Sequence, residues 1–352
     1  VRKIIILSAC SVFFLFSSSS CNDSKKLQNE DQNKGKSEQI QPPSGLSVMF
    51  YNVENLFDTA NDPLKDDDEF TPDGKLQWTA ERYAKKLQDL AKVISSIDDE
   101  LPSMVGLCEV ENRFVVEELF SKTNLAAGNY AVLHREGPDG RGIDCALAYR
   151  KDHIRFDTEK YYNVKLPAGS RPDTRLLLYA RGIQGKDTLH VFVNHWPSRS
   201  GGQLETEPNR LTLALLLREK ADSILMSNQD ARIIMMGDFN DYPNDKSIRE
   251  VLQASGKGDG HFYNFMDEFQ KKGEGTYNYK GEWGCLDQFI VSNRIVQSDK
   301  GFRAQAGSAK IFSADWLLFV GADGKAAPSR TYGKDYYGGY SDHLPIFLEL
   351  TK

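Results

Sequence analysis

Apolar positions recur along this chain in two rhythms. Tyr83, Leu87, Leu90, Ile94 and Ile97 return at steps of four and three, which puts them on one stripe of a helix. Thr79 suits the N-cap of that helix, and Trp78 and Tyr83 stand where a hydrophobic staple would close around it. A second helix is expected over 112–123, and a leucine-rich third opens at Pro208 and runs to about Met226. The other rhythm is a set of short β-prone runs at 46–51, 104–108, 130–134, 143–149, 175–181, 188–194, 231–236, 286–291 and 344–350. No polar linker, low-complexity segment or internal repeat follows Leu46, so residues 45–352 are expected to form a single domain. Many strands with a few helices predict an α/β (α+β) sandwich of two packed sheets with helices on the outer faces.

Composition permits such a core, with 40% apolar and 27% charged residues. The formal charge is −6, and it becomes −8 once Arg2 and Lys3 are set aside with residues 1–21. That balance excludes a broad basic surface for nucleic acid or anionic membrane, so a phosphate substrate would need a local device such as a metal ion. Arg2 and Lys3 precede an apolar stretch from Ile4 to Phe16, then Ser17 to Ser20 and Cys21. This is the order of a secretory signal and is too short for a stable transmembrane helix. It resembles a bacterial lipoprotein signal, in which Cys21 is lipidated. Residues 22–44 read as a disordered tether, and the protein is expected to be an exported monomer, held at the cell envelope or secreted. Cys108, Cys145 and Cys285 make no disulfide framework or zinc spacing and are expected to be buried thiols. The acidic run 66–69 lacks the spaced ligands of a calcium loop and is expected to be a solvated loop.

Polar chemistry is concentrated where apolar runs end. Asn52 closes the first, Glu109 closes Met104-Val105-Gly106-Leu107-Cys108, and Asn194-His195-Trp196-Pro197 closes another. Asp238 and Asn240 follow a continuous apolar strand, Asp287 lies inside one, and Asp342-His343 precedes the last. Such acids, amides and imidazoles are the groups that hold magnesium or manganese and move protons. In extended backbone Asp238 and Asn240, two apart, would point to one face.

With GDFN at 237–240, LDQF at 286–289 and SDH at 341–343 in that order, the chain resembles the endonuclease/exonuclease/phosphatase superfamily. That group includes deoxyribonuclease I, abasic-site endonucleases, sphingomyelinases and inositol polyphosphate 5-phosphatases. The resemblance implies a four-layer α/β/β/α sandwich of mixed sheets, deoxyribonuclease I-like, and metal-dependent hydrolysis of phosphate esters. It implies Glu109 as principal metal ligand with Asn52 and Asp342 nearby, the metal being Mg2+ with Mn2+ as the alternative. Asp238 would orient or deprotonate water, Asn240 would donate to a phosphoryl oxygen, and His343 would pair with Asp287. His195 resembles the second histidine of the deoxyribonuclease I and sphingomyelinase branches, and Asp144 aligns with the acid behind it. Arg175 matches a phosphate-binding arginine of that branch, or else makes a structural salt bridge. Tyr332, Tyr336, Tyr337 and Tyr340 would form either a mobile rim that stacks on a base or sugar, or a plain surface loop.

The leading expectation is a nuclease-type phosphodiesterase acting on nucleic acid. A phosphatase or phospholipase C-like hydrolase of inositol phosphates, sphingomyelin or another small phosphoester is the alternative, although no long apolar hairpin for membrane insertion is visible. A catalytically silent binding module of the envelope is the alternative of another class, opposed by the presence of every central residue.

Overall fold

The computed structural model describes residues 43–170, 173–322 and 324–352. The signal-like segment, Cys21 and almost all of the expected tether lie outside them. Among the described residues no helix is long and apolar enough to cross a membrane.

The described residues open with β1 (Gly45–Leu56), α1 (Ala80–Ser95), β2 (Met104–Val110), α2 (Arg113–Ser121), β3 (Tyr130–His134) and β4 (Asp144–Arg150). It continues through β5 (Arg155–Tyr162), β6 (Leu177–Gln184), β7 (Asp187–His195), α3 (Gln203–Ser227) and β8 (Arg232–Asp238). Short strands β9 (Ala254–Ser255), β10 (Phe262–Asn264), β11 (Tyr277–Tyr279) and β12 (Glu282–Gly284) lead into β13 (Asp287–Ser292). The remainder is β14 (Lys310–Ile311), β15 (Leu318–Val320), β16 (Ala326–Pro328) and β17 (Ile346–Thr351). One sheet has the order β14-β17-β1-β2-β4-β3 and the other β5-β6-β7-β8-β13-β10-β9. Both are mixed, because β1–β2 and β7–β8 run parallel among antiparallel neighbours.

Alternation along each central strand creates the four layers. Val48 and Phe50 of β1 turn inward to meet Ile234 and Met236 of β8, with Val191, Val193 and Phe289 in the same cluster. Met49, Tyr51 and Val53 turn outward onto Leu87, Leu90 and Ile94 of α1 and Val115 and Leu119 of α2. On the far side Phe192, Ile233 and Met235 pack on Leu213, Leu217 and Ala221 of α3. A one-residue change of register would invert these faces. The inner faces also approach closely. A Cβ on Gly106 would lie 2.6 Å from Met236 Cε, so a side chain there would have to displace the end of Met236 from between the sheets.

Caps form as expected, with Thr79 accepting from the Arg82 N–H and Asn112 from the Val115 N–H. Trp78 and Tyr83 meet in one aromatic cluster. Cys108, Cys145 and Cys285 are free and buried. Three expectations change. Helix α3 starts at Gln203 and carries Pro208 inside it; Thr206 Oγ1 donates to the Gly202 carbonyl and Arg210 Nη2 to the Gln203 carbonyl, so side chains hold the turns around the proline. Strand β5 was not visible as an apolar run, because it is an edge strand that alternates exposed and half-covered residues. In the acidic run Asp67 is buried and accepts from the Asp62 N–H at 3.0 Å, so only part of that run is solvated.

The tyrosine-rich segment is mostly anchored rather than a rim. Tyr332 is buried edge-on against Phe70 and Trp78, and its hydroxyl donates to the carbonyls of Glu54 at 2.7 Å and Asn55 at 3.1 Å. Tyr336 packs on Trp78 beneath the Arg82 guanidinium, and Tyr340 packs on Trp316. Tyr337 alone of the four is largely exposed. A short hairpin, β15–β16, leaves Phe319 and Val320 in solvent.

Candidate functional site

Registers across the second sheet place three acid–base residues side by side. His195 at the end of β7 is the partner of Asp238 at the end of β8, and Asp238 is the partner of Asp287 at the start of β13. Gly237 lets β8 run this close, since a Cβ there would meet the Asn194 carbonyl at 2.3 Å. The first sheet supplies the facing groups. Asn52 pairs with Cys108, and the register then shifts in a bulge between Asn52 and Leu56. Glu54, Asn55 and Glu109 adopt left-handed backbone, with φ of 52°, 52° and 63°. Such conformations cost about 1 kcal/mol or more each for residues with a side chain, and bulges re-aim side chains. Here the result is that Glu109 Oε2 accepts from the Asn55 N–H at 3.1 Å and Oε1 faces the gap between the sheets.

Asn52 closes that gap. Its Nδ2 donates to Glu109 Oε1 at 3.3 Å and to Asp238 Oδ2 at 3.1 Å, while its Oδ1 accepts from the Glu54 N–H at 3.0 Å. In this orientation Asn52 bridges two carboxylates through its nitrogen, and its oxygen is held by the Glu54 N–H. Asp238 and Asn240 also differ from expectation. The Asn240 N–H donates to Asp238 Oδ1 at 2.8 Å and Asn240 has φ of 49°. This Asx-turn ends the extended backbone on which a shared face depended. The Asn240 amide donates instead to the Trp196 carbonyl at 2.9 Å.

The two histidines have opposite electrostatics. His343 Nδ1 lies 2.7 Å from Asp287 Oδ2, the pairing expected from the sequence. Burial opposes a charge on His343, but Asp287, with Asp238 and Asp342 behind it, outweighs burial and raises its pKa well above the ordinary range. His195 Nε2 lies 3.7 Å from both Glu109 Oε1 and Asp238 Oδ2. Burial, reinforced by Arg175, Arg141 and His343, drives its pKa well below the ordinary range. His343 Nε2 lies 3.9 Å from the same Asp238 oxygen. A charged and a neutral imidazole thus flank one buried carboxylate, whose own pKa burial pushes up to about 7 despite the pull of His343.

The Asp144–His195 pair does not form. Asp144 Oδ2 accepts from the Gly137 N–H at 2.9 Å, and Asp144 Oδ1 and His195 Nδ1 are both buried without a partner. Gly137 turns the carboxylate into its own loop, and burial pushes the Asp144 pKa up to about 7. Arg175 takes the salt-bridge alternative: it is 5% exposed, donates to Asp139 Oδ2 at 3.2 Å and to the Trp196 carbonyl at 2.6 Å. Asp342 Oδ2 accepts from Arg330 Nη2 at 3.1 Å, while its Oδ1 lies 4.0 Å from His343 Nε2.

Sequence reasoning missed the group around that arginine. Arg330 Nε donates to Glu54 Oε1 at 2.9 Å, and the Thr331 N–H donates to Glu54 Oε2 at 2.6 Å. Buried Lys86 donates to Thr331 Oγ1 at 2.5 Å and to the Tyr340 carbonyl at 2.7 Å. Burial pushes Glu54 up to about 7 and Lys86 down to about 8. Lys86 sits on the core stripe of α1, a lysine at an apolar position, and that was the available signal. Arg330 lies in a loop without periodicity and had none.

Among the described residues, ligand atoms of Asp238, Asp287 and His343 lie within 4.8 Å of one another. Asp287 gives one oxygen to His343 and keeps Oδ1 without a partner, and Glu109 Oε1 and Asp238 Oδ2 converge on the Asn52 amide, so hard carboxylate oxygens gather at this point. No curated protein sequence matches the chain. Several solved structures share its fold. An endonuclease/exonuclease/phosphatase family protein from Bacteroides thetaiotaomicron has 15% identity and a TM-score of 0.52, over 88% of this chain and 96% of that one. D. rerio TDP2 in complex with a single-strand DNA product has 17% identity and a TM-score of 0.53, over 88% and 100%. The human Nocturnin catalytic domain with a bound sulfate anion has 16% identity and a TM-score of 0.51, over 88% and 96%. The family model described as endonuclease/exonuclease/phosphatase matches residues 47–352, which include every strand end that builds the site. Sheet order, site and family match agree, and the chain belongs to the endonuclease/exonuclease/phosphatase family.

Proposed function

We propose that this chain is a divalent-metal-dependent phosphodiesterase of nuclease type, exported and tethered at the cell envelope through Cys21. The observation that carries the catalytic reading is the charged and neutral imidazole pair on either side of Asp238. Asp238 orients the attacking water and takes its proton, and neutral His195 holds the water's other side. The P–O bond opposite the water breaks, and His343 passes the proton on Nε2 to the departing oxygen. Asp287 keeps the imidazole oriented and charged, as carboxylates do in other hydrolase dyads.

The donor set fits magnesium or manganese. Glu109 Oε1 is a hard oxygen facing the gap beside the Asn52 amide, and few protein ligands with several waters suit an ion that dehydrates reluctantly. When bound, the ion neutralises the phosphate and the charge developing on it. The nucleic-acid substrate is supported by the fold-mate that holds a single-strand DNA product.

The test incubates the purified chain with supercoiled plasmid, single-stranded RNA and p-nitrophenyl phosphate, with Mg2+ or with EDTA. Nicking that EDTA abolishes is expected. Release from the monoester with no cleavage of DNA or RNA would put the phosphatase alternative in its place. A lipidated Cys21 should appear as acyl mass on the N-terminal peptide of the native protein, and an unmodified peptide would remove the tether.

A further inference from the structure

A phosphate that reaches His195 and His343 meets Glu109, Asp238, Asp287 and Asp342, the acids that crowd around those imidazoles. The arginine expected to greet it, Arg175, is committed to Asp139 and Trp196. Arg330 is placed otherwise. Its side chain is 45% exposed, Nε is bound to Glu54 and Nη2 to Asp342, and Nη1 has no protein acceptor among the described residues. The guanidinium stands beside Asp342, whose Oδ1 is 4.0 Å from His343 Nε2. It also acts electrostatically on Tyr277, whose ring centre lies 4.9 Å from that of His343.

Its mounting is unusually firm for a loop residue. The adjacent Thr331 is tied to Glu54 and Lys86, and Tyr332 is tied to the Glu54 and Asn55 carbonyls. A planar guanidinium whose two other nitrogens are fixed by carboxylates loses little freedom when the third meets an oxyanion. We propose that Arg330 is the arginine that binds the substrate phosphoryl group, presenting Nη1 to a phosphoryl oxygen from the Asp342 side of the site. This rests on the phosphoester reading of the site and names the residue that receives the anion.

The rival account is that Arg330 only props Asp342 and Glu54. The test compares wild type, Arg330→Ala, Arg330→Gln and Arg330→Lys, loaded with Mg2+, by calorimetric titration with inorganic phosphate and by kcat/KM on whichever ester the wild type cleaves. A lost charge-assisted hydrogen bond predicts phosphate binding and kcat/KM about 10- to 100-fold weaker in Arg330→Ala and Arg330→Gln. Arg330→Lys should recover part of the loss as a point charge. Arg330→Gln covers the case in which alanine unfolds the loop, and melting curves identify that case. In an Asp342→Asn background, Arg330→Gln should still weaken phosphate binding; no further loss there means the arginine acted only through Asp342 and overturns the proposal. Equal phosphate affinity in wild type and variants, or none in wild type, also overturns it. Because the titration needs no turnover, a chain that cleaves nothing but loses phosphate with Arg330 keeps this inference while the phosphodiesterase reading fails.

Discussion

Asn52 donates to Asp238 at 3.1 Å across the gap between the two sheets, so one amide joins the acid of one half-site to the other. Asn52 is 1% exposed and Asp238 2%, so bulk solvent does not replace the donor at the face they share. Asn52→Leu leaves Asp238 Oδ2 without that donor, and a buried orphaned acceptor costs about 1–3 kcal/mol. A lower urea midpoint with unchanged slope should accompany turnover reduced at least tenfold. An unaltered midpoint would mean that the bridge does not hold the sheets.

Asp287→Asn tests the charged state of His343. Asparagine keeps the volume but removes the charge that outweighs burial. In wild type the folded pKa of His343 is raised, so its stabilising effect is complete below the unfolded value and fades as pH rises through the folded one. The alkaline limb of kcat follows the same titration and should move to lower pH in Asp287→Asn. Turnover should drop by about 100-fold or more, the scale of a lost acid–base group. An NMR titration of the His343 ring that is the same in both proteins would contradict the assignment.

Asp144→Asn is expected to behave in the opposite way. Asp144 has a folded pKa near 7, above its unfolded value near 3.8. Between those values the folded state holds a proton that the unfolded chain has released, so stability falls as pH rises through that window. Asparagine keeps the acceptor for the Gly137 N–H and removes the buried charge. The variant should melt higher than wild type at pH 8 and alike at pH 4, with activity kept within about tenfold, below the scale of a lost acid–base group. A 100-fold loss of turnover would show that Asp144 serves His195 after all.

Binding of Mg2+ to the folded state alone should raise the melting temperature. The gain is about 2.7 kcal/mol at a concentration 100 times the dissociation constant. Glu109→Gln should abolish most of the shift, because Glu109 is the carboxylate proposed as principal ligand. An equal shift in that variant would move the ion elsewhere.

Strand ends were readable from sequence because β structure turns an apolar run into a buried strand and leaves the first polar residue at its mouth. Glu109, His195, Asp238 and His343 were found at the ends of such runs and Asp287 inside one, and all five meet. What failed was orientation. Asp238 and Asn240 were expected to share a face, but an Asx-turn rotated Asn240 toward Trp196. Asp144 was aligned behind His195, but a nearby N–H, from Gly137, claimed its carboxylate. Edge strand β5 escaped notice because only its inner face is covered, and Arg330 because a loop carries no period. Local hydrogen bonds compete with long-range pairing at short range, and periodicity does not report them.

The close contact of Gly106 with Met236 has a bearing on catalysis although neither residue touches the site. Each sheet carries half of the reactive groups, so the thickness of the core between them sets how far Glu109 stands from Asp238. The core is in effect a spacer, and at Gly106 the end of the Met236 side chain fills it. A methyl at Gly106 is absorbed either by Met236 or by that spacer, and turnover that falls while the urea midpoint holds would mark the spacer as the part that gave way.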